Sequence, residues 1–208
     1  MFRDRADAGE QLAQLIEDHD IEADVVLAIP RGGLPVGRVV ADALGIPLDI
    51  IAARKIGAPG NPELAIGAVA ADGSVWLNDR LIDQIGVDDE YIEEGIDRER
   101  ENAQAKVDRY RGDHPTPELS GKRVLIVDDG VATGATTTAC IRQARNAGAD
   151  RVILGVPVGP PDSIDRLRSE VDEMVCVETP PHFGAVGQFY ESFIQVTDEE
   201  AIEYLDQG

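Results

Sequence analysis

Two adjacent carboxylates, Asp128 and Asp129, lie between an apolar run and a loop of small and hydroxyl-bearing residues. Three of the four residues in the run 124–127 are β-branched, which is typical of a buried strand. The loop leads into a predicted helix over residues 136–147. The free backbone N–H groups and the positive end of the helix dipole therefore lie at this loop. The two acids can accept hydrogen bonds from vicinal hydroxyls, and the adjacent loop can bind a phosphate. The pattern therefore suits a ligand that carries both, such as a ribose 5-phosphate.

A second loop of the same kind is formed by residues 30–33, with the sequence Pro-Arg-Gly-Gly. It follows a predicted strand over residues 24–29 and precedes a predicted helix over residues 34–44. Its glycines let the backbone approach a ligand closely, and its arginine adds a charge-assisted donor. Because ligands bind at the carboxyl ends of strands in an open α/β sheet, both loops are expected at one edge. A tight turn with an exposed arginine is the alternative.

A pair of cations, Arg54 and Lys55, follows a predicted strand over residues 47–53. Four helix breakers then fall within residues 57–62, which predicts a mobile excursion of the chain. A mobile lid that carries cations can exclude water and stabilise an anionic leaving group. Glu63 comes directly after the excursion, either as a participant in that chemistry or as a solvated loop charge.

The segment 124–137 resembles the phosphoribosyl-pyrophosphate binding motif of type I phosphoribosyltransferases. The resemblance implies that Asp128 and Asp129 hold the 2′- and 3′-hydroxyls of the ribose and that the following loop holds its 5′-phosphate. The loop residues assigned to the phosphate are Val131, Ala132, Thr133, Gly134, Ala135, Thr136 and Thr137. A competing interpretation is the acidic strand of a P-loop ATPase, which also requires a G-x-x-x-x-G-K-[ST] stretch, and the sequence has none.

The two other loops match the same family in the same order, and the resemblance covers residues 24–158. By that resemblance the pyrophosphate-binding residues are Arg31, Gly32 and Gly33. Family members often have a non-proline cis peptide in this loop. Arg54 and Lys55 correspond to the catalytic flexible loop and would stabilise the leaving pyrophosphate. Glu63 resembles a glutamate in the same loop of adenine phosphoribosyltransferases.

The tail, residues 180–193, is rich in aromatic residues. In hypoxanthine-guanine enzymes of the family a similar Phe…Val-Gly segment binds the purine, which would give that role to Phe183 and Val186. Packing of the tail onto the core is an equal alternative for these two residues. Packing is favoured for Phe189, Tyr190 and Phe193. The tail and the start of the chain resemble a group of phosphoribosyltransferases whose acceptor is unassigned.

Strands that alternate with helices predict an α/β fold, a doubly wound parallel sheet flanked by helices. The resemblance implies the type I phosphoribosyltransferase fold as a single domain over residues 1–208, with its core at about residues 24–178. It also implies a small hood from the tail 180–208, with the N-terminal segment as a further candidate. A hairpin around residues 72–73 and a long helix over residues 88–112 are also predicted. That helix has a charged outer face and is assigned no chemistry.

The amino-acid composition of the chain limits the kinds of partner that it can bind. The 208-residue chain has 19 lysines and arginines against 40 acids, a net charge of −21, which argues against general nucleic-acid binding because that function needs a basic face. No apolar run approaches the ~20 residues of a membrane span, and the start lacks the apolar core of a signal peptide. Cys140 and Cys176 are isolated in apolar settings. We therefore expect a cytoplasmic protein with free thiols and no membrane partner.

The acidic surface also predicts adaptation to high salt, since carboxylates are abundant and lysine is scarce. Added KCl should screen the repulsion among carboxylates and so raise the free energy of unfolding. A denaturant titration at increasing KCl concentrations measures this effect. Full stability at low salt would contradict the hypothesis.

The resemblance implies a glycosyltransferase that moves ribose 5-phosphate from phosphoribosyl pyrophosphate to a nitrogenous base or amine and releases pyrophosphate. Mg²⁺, held mainly by the substrate's pyrophosphate and water, is the expected cofactor, and a homodimer is left open. A non-catalytic regulator that binds phosphoribosyl pyrophosphate or a nucleotide is the alternative. A phosphohydrolase that acts through Asp128 or Asp129 is a third hypothesis with less support, because the sequence offers no second cluster of metal ligands.

Overall fold

The computed structural model describes residues 1–207, in which strands and helices alternate. The strands are β1 (Val25–Ala28), β2 (Leu48–Ile50), β3 (Ala53–Ala58), β4 (Asn61–Ala70), β5 (Val75–Leu77), β6 (Arg123–Val127), β7 (Arg151–Val158) and β8 (Glu173–Glu178). The helices are α1 (Arg5–Asp18), α2 (Gly33–Leu44), α3 (Asp79–Ile85), α4 (Asp89–Arg111), α5 (Ala135–Asn146), α6 (Pro161–Arg168) and α7 (Asp198–Asp206), and a 3₁₀ helix spans Val186–Phe189.

Five strands form one parallel sheet in the order β2-β1-β6-β7-β8. Successive residues of a strand point to opposite faces. Leu27 and Ile126 pack with α5 on one face, and Val26 and Leu125 pack with α1 and α2 on the other. Helices therefore cover both faces of the sheet, and the predicted doubly wound α/β fold is confirmed.

The strand order reverses at β1 and β6, which are neighbours in the sheet. The chain continues from β1 into α2 on one face and from β6 into α5 on the opposite face. A crevice opens at such a switch point, outside the carboxyl ends of the strands. The two loops that follow β1 and β6 line this crevice, and the N–H of Ile29 donates to the carbonyl of Val127 at 2.9 Å between them.

Strands β3, β4 and β5 form a separate antiparallel sheet, the hood sheet. The predicted hairpin around residues 72–73 is confirmed as the connection between β4 and β5. The predicted single strand over residues 47–53 is wrong, because β2 ends at Ile50 and β3 begins at Ala53, which pairs with Ala70 in the hood sheet. The apolar run is continuous in the sequence, so it does not reveal where the chain leaves the parallel sheet and enters the hood sheet. Burial alone does not show which sheet a residue joins.

The predicted mobile excursion over residues 57–62 has the conformation of a hairpin, and its mobility stays a prediction. These residues end β3 and begin β4, with Gly60 at φ +72° in the turn between them. The register shifts on either side of Gly57. Glycine and proline thus mark the tight turn and the bulge of a hairpin instead of an irregular loop.

The tail returns to the start of the chain, and the two segments, residues 2–5 and 189–194, form a unit that we call the strap. The N–H of Phe2 donates to the carbonyl of Phe189 at 2.8 Å, and the N–H of Glu191 donates back to the carbonyl of Phe2 at 2.8 Å. Beyond the strap, α7 packs against α2 and α4. The assignment of the tail to the hood stays a prediction.

The long predicted helix is confirmed as α4, whose cap Asp88 accepts the N–H of Tyr91 at 2.8 Å. The sequence did not predict α3, because its seven residues are too few to show a period. Among the helices of residues 1–207, none combines the length and the apolar character that crossing a bilayer requires.

Candidate active site

The acid pair, Asp128 and Asp129, lies at the crevice where β6 ends. Oδ1 of Asp128 accepts the N–H of Asp129 at 2.8 Å, which fixes the orientation of that carboxylate. Oδ2 of Asp129 accepts from Nε of Arg5 at 2.8 Å, and these two side chains are only 13% and 11% exposed. The two acids are therefore held differently, one by a backbone N–H and the other by a buried ion pair.

Burial dominates the electrostatics of the acid pair. It raises the pKa of Asp128 well above its ordinary value, and the charge of Asp129 raises that pKa further. Burial also raises the pKa of Asp129, although the charge and the hydrogen bond of Arg5 oppose the rise. A ligand whose hydroxyls donate to these carboxylates favours their ionised forms, so ligand binding and ionisation are coupled here.

The loop after the acid pair, residues 130–137, leads into the first turn of α5. Gly134 adopts the left-handed conformation at φ 73° before the helix, and no side chain caps the helix. Because the first N–H groups of a helix have no acceptor within it, those of Ala135 and Thr136 are available to an anion. Thr136 is partly exposed, whereas Thr137 is buried.

Neighbouring elements hold this loop in position. The N–H of Val131 donates to a carbonyl of β7 at 2.9 Å, which commits that N–H to the sheet. The hydroxyl of Ser163 donates to the carbonyl of Ala132 at 2.6 Å, and Arg166 donates to the carbonyl of Thr133. Val131 therefore shapes the loop, while the exposed residues that follow it face solvent.

The loop 30–33 lies closer to the acid pair than a side chain would permit. Its first peptide bond, before Arg31, is cis, as the resemblance implied. A Cβ at Gly32 would lie 2.0 Å from Oδ2 of Asp129, and one at Gly33 would lie 2.8 Å from a backbone carbonyl oxygen of β6. Glycine is required at both positions because the two loops touch across the switch point.

A cavity of about 420 Å³ beside this loop, which we call the cation pocket, has a basic lining. The residues that line it are Arg31, Arg54, Asn102, Ala105, Lys106, Arg109 and Tyr110. Nζ of Lys106 donates to the carbonyl of Pro30 at 2.6 Å. Burial lowers the pKa of Lys106 and the nearby arginines lower it further, whereas Asp128 opposes this. Asp198 pairs with Arg31 and Arg109, and Glu99 pairs with Arg54, so these carboxylates offset part of the positive charge. Four basic residues around one cavity in a chain of net charge −21 still favour an anionic ligand.

The charge run of α4 predicts a solvated helix without chemistry, so the sequence alone gave no site role to Lys106 and Arg109. The outer face of the helix is indeed exposed, but Lys106 lies about one turn from the buried residues Ala103 and Tyr110 on the inner face. A lysine that shares the helical phase of the buried residues is the feature from which the sequence could have predicted a site role for Lys106.

The structure separates the two cations of the predicted flexible loop. Adjacent residues of a strand point to opposite faces. Nε of Arg54 lies 3.4 Å from Glu99 of α4, at the cation pocket, whereas Nζ of Lys55 donates to Glu63 at 2.8 Å. Lys55 and Glu63 are 43% and 86% exposed, and the hydrogen bond from Lys55 lowers the pKa of Glu63. Of these predicted residues, Arg54 lines the cation pocket and the other two pair on the hood surface.

The two predicted base-site residues have different environments. Val186 lies against Gly130, the residue that follows the acid pair, since a Cβ at Gly130 would lie 2.6 Å from Cγ1 of Val186. Phe183 stacks on Phe189 with ring centroids 5.2 Å apart. Val186 therefore lies directly beside the predicted ribose site, and Phe183 belongs to an aromatic pair of the tail.

Two residues outside the predicted site contact Asp129. One is Arg5, through the ion pair described above, and the other is Tyr190, whose hydroxyl donates to the carbonyl of Asp129 at 2.6 Å. Packing was the favoured role for Tyr190, and the ring is indeed buried, with 5% exposed. No local pattern marks either residue as a site residue, because both reach Asp129 only through the strap.

An acid pair, an open helix N-terminus and a basic cavity meet at the switch point of a doubly wound sheet that carries an additional antiparallel hood. This is the architecture of the type I phosphoribosyltransferase fold. Residues 4–193 match the phosphoribosyl transferase domain family, and the chain belongs to that family.

Several known proteins are similar to this chain. The crystal structure of TT1426 from Thermus thermophilus is 40% identical, with a TM-score of 0.84, and the match covers 99% of this chain and 98% of that one. A protein of Mycobacterium tuberculosis H37Rv, provisionally named phosphoribosyl transferase Rv0571c, is 43% identical over 208 residues. That match covers 100% of this chain but 47% of the relative, so the chain spans about half of that protein's length.

A more distant relative has a named substrate class. The hypoxanthine/guanine phosphoribosyltransferase of Methanocella paludicola is 26% identical over 174 residues, which cover 81% of this chain and 70% of that enzyme. The family therefore includes a hypoxanthine/guanine enzyme, whereas the names of the more similar relatives specify no acceptor.

Proposed function

We propose that this chain transfers ribose 5-phosphate from phosphoribosyl pyrophosphate to a nitrogenous base or amine, with release of pyrophosphate. The observation that carries the proposal is the convergence of three binding features on one crevice: the acid pair, the N-terminus of α5 and the cation pocket. They match, in order, the hydroxyls, the 5′-phosphate and the pyrophosphate of a single ligand.

Each part of the crevice has a separate task. Asp128 and Asp129 accept hydrogen bonds from the ribose hydroxyls, and the N–H groups at the start of α5 bind the 5′-phosphate. Arg31 and Lys106 bind the pyrophosphate from the cation pocket. The bond between the ribose C1 and the pyrophosphate oxygen then breaks, and the pyrophosphate retains the electron pair. An acceptor nitrogen attacks C1 from the opposite face and releases its proton to water. Positioning and electrostatic stabilisation of both developing charges would lower the barrier.

Mg²⁺ is the cofactor that the family uses with phosphoribosyl pyrophosphate. In residues 1–207 no group of three or more His, Cys, Asp and Glu side chains could hold a metal by itself. Mg²⁺ usually keeps several waters and binds through substrate phosphates with one or two carboxylates, so pyrophosphate oxygens and water are its proposed main ligands. When bound, Mg²⁺ would neutralise part of the pyrophosphate charge, while Arg31, Lys106 and Arg54 orient the same group from the protein side.

A non-catalytic protein that binds phosphoribosyl pyrophosphate or a nucleotide is the second candidate. One observation favours it: Lys55, the predicted catalytic lysine, pairs with Glu63 on the exposed hood surface and does not line the cation pocket. Catalysis by Lys55 would require its side chain to leave Glu63 and to turn toward the crevice.

The first experiment measures pyrophosphate release from phosphoribosyl pyrophosphate and Mg²⁺, in molar KCl, across a panel of purines, pyrimidines and amines. Release that depends on one acceptor would establish the transferase and identify its substrate. Binding of phosphoribosyl pyrophosphate by calorimetry, without release, would support the regulatory alternative. An absence of both binding and release would contradict the proposal.

Replacement of Lys106 by glutamine tests the cation pocket. Glutamine keeps an N–H donor on a slightly shorter side chain, but it removes the positive charge that Lys106 brings to the carbonyl of Pro30. Charge-assisted hydrogen bonds contribute about 1.5–3 kcal/mol, so we expect phosphoribosyl pyrophosphate to bind roughly tenfold to a hundredfold more weakly. Arg100→Gln, on the exposed face of the same helix, is the charge-matched control. Equal losses in the two variants would indicate a general effect of net charge and would exclude a pocket for pyrophosphate at Lys106.

A further inference from the structure

We infer that Arg5 is a positioning residue for Asp129, whose carboxylate it orients so that this group can accept a ribose hydroxyl. The inference rests on the proposed function. It assigns a role at the crevice to the start of the chain, which lies 124 residues from Asp129 in the sequence.

Arg5 is fixed on three sides. Its Nε donates to Oδ2 of Asp129 at 2.8 Å, and its Nη1 donates to the carbonyl of Ile194 at 2.6 Å. Its guanidinium carbon lies 4.0 Å from the ring centroid of Phe193. A guanidinium held by a carboxylate, a carbonyl and an aromatic face has little freedom, so it fixes the carboxylate that it binds.

The strap fixes the backbone of Asp129 as well. The hydroxyl of Tyr190 donates to the carbonyl of Asp129 at 2.6 Å. The Tyr190 ring lies 5.3 Å from that of Phe2, which is fully buried, and 4.9 Å from that of Phe193. Both the side chain and the main chain of Asp129 therefore depend on residues 2–5 and 189–194.

The two acids consequently differ in their electrostatics. Asp129 has an arginine partner, whereas Asp128 makes no ion pair within 4 Å among the residues that the structure describes. A ligand that brings phosphate and pyrophosphate charges meets less repulsion if one of two buried carboxylates is already neutralised. Oδ2 of Asp129 also packs against Gly32, so an unrestrained Asp129 side chain would disturb the loop 30–33.

A pH dependence distinguishes this role from simple packing. The charged and titratable groups that face Asp129 are Arg5, Asp128 and the phenol of Tyr190. Arg5 opposes the rise that burial causes in the pKa of Asp129, so its removal lets that pKa rise further. Because the ionised form binds the ligand, the acidic limb of binding should move to higher pH when Arg5 is lost.

The test is calorimetric binding of phosphoribosyl pyrophosphate with Mg²⁺ from pH 5 to 8, on the full chain and on Arg5→Gln. We expect at least a tenfold loss of affinity at pH 7 in the variant and a shift of its acidic limb to higher pH. Arg5→Lys, which keeps the charge, should recover part of the affinity. Arg80→Gln, an exposed arginine of α3 outside the strap, should bind as the unaltered chain does.

A second comparison separates positioning from loss of the fold. If Arg5 acts through Asp129, adding Arg5→Gln to Asp129→Asn should weaken binding no further than Asp129→Asn alone. Additive losses, or unaltered affinity and pH dependence in Arg5→Gln, would overturn the inference while the proposed function stands. Absence of binding by the unaltered chain would overturn both. Circular dichroism melts of each variant show whether the strap still folds.

Discussion

The variant Asp128→Asn/Asp129→Asn is expected to lose phosphoribosyl transfer and to retain the fold. Each carboxylate is assigned a hydrogen bond from a ribose hydroxyl, and hydrogen bonds to charged groups contribute about 1.5–3 kcal/mol each. The loss of two such bonds weakens ligand and transition-state binding by roughly a hundredfold to ten thousandfold. Pyrophosphate release under saturating acceptor measures the effect.

The stabilities of the two single variants should change in opposite directions. The raised pKa of Asp128 means that the folded state holds that proton more tightly than the unfolded state does. The stability of the unaltered chain is therefore reduced as the pH rises from the ordinary pKa of an aspartate toward the raised pKa. Asp128→Asn removes this penalty, so it should be more stable at pH 7, and the gain should shrink at acidic pH.

Asp129→Asn also removes the cost of ionising a buried carboxyl, since burial raises the pKa of Asp129, but it leaves the buried charge of Arg5 without its partner. Breaking a buried ion pair from one side costs about 3–5 kcal/mol, so this variant should be less stable at pH 7. Denaturant melts between pH 4 and pH 8 measure both changes. Asp83→Asn, an exposed aspartate of α3, is the matched control. A double variant that turns over substrate at the rate of the unaltered chain would exclude the role assigned to the acid pair.

Gly32→Ala is the second variant with a large expected effect. The added Cβ would lie 2.0 Å from Oδ2 and 2.6 Å from Cγ of Asp129, so the carboxylate must move away and its ion pair with Arg5 must break. Overpacking of this kind costs about 1–3 kcal/mol of stability. Because the displaced group is the one that binds the ribose, activity should fall by at least roughly a hundredfold, beyond what the stability change explains.

Gly155→Ala is the control for this substitution. Its Cβ would meet the side chains of Leu125 and Leu12 at 3.4 to 3.5 Å, which is ordinary contact. The control should therefore retain both its fold and its binding of phosphoribosyl pyrophosphate. If Gly32→Ala binds phosphoribosyl pyrophosphate as tightly as Gly155→Ala does, ligand binding does not require Oδ2 of Asp129 to occupy its position beside Gly32.

The sequence by itself determined the features that are local along the chain. The doubly wound sheet follows from the alternation of apolar strands with amphipathic helices, and the acid pair and its loop form one continuous strand-loop-helix unit. The loop 30–33 forms a second such unit. In units of this kind the residues of the site are neighbours in sequence, so their types and spacing are sufficient to identify them.

The tertiary structure alone decided which distant residues complete the site. Arg5 meets Asp129 across 124 positions, and Lys106 meets Pro30 across 76. The placement of Arg54 and Lys55 in the hood sheet likewise depends on the pairing of β3 with β4. No period or motif encodes these contacts, because the packing of the strap, α4 and the hood against the parallel sheet decides which side chains reach the crevice.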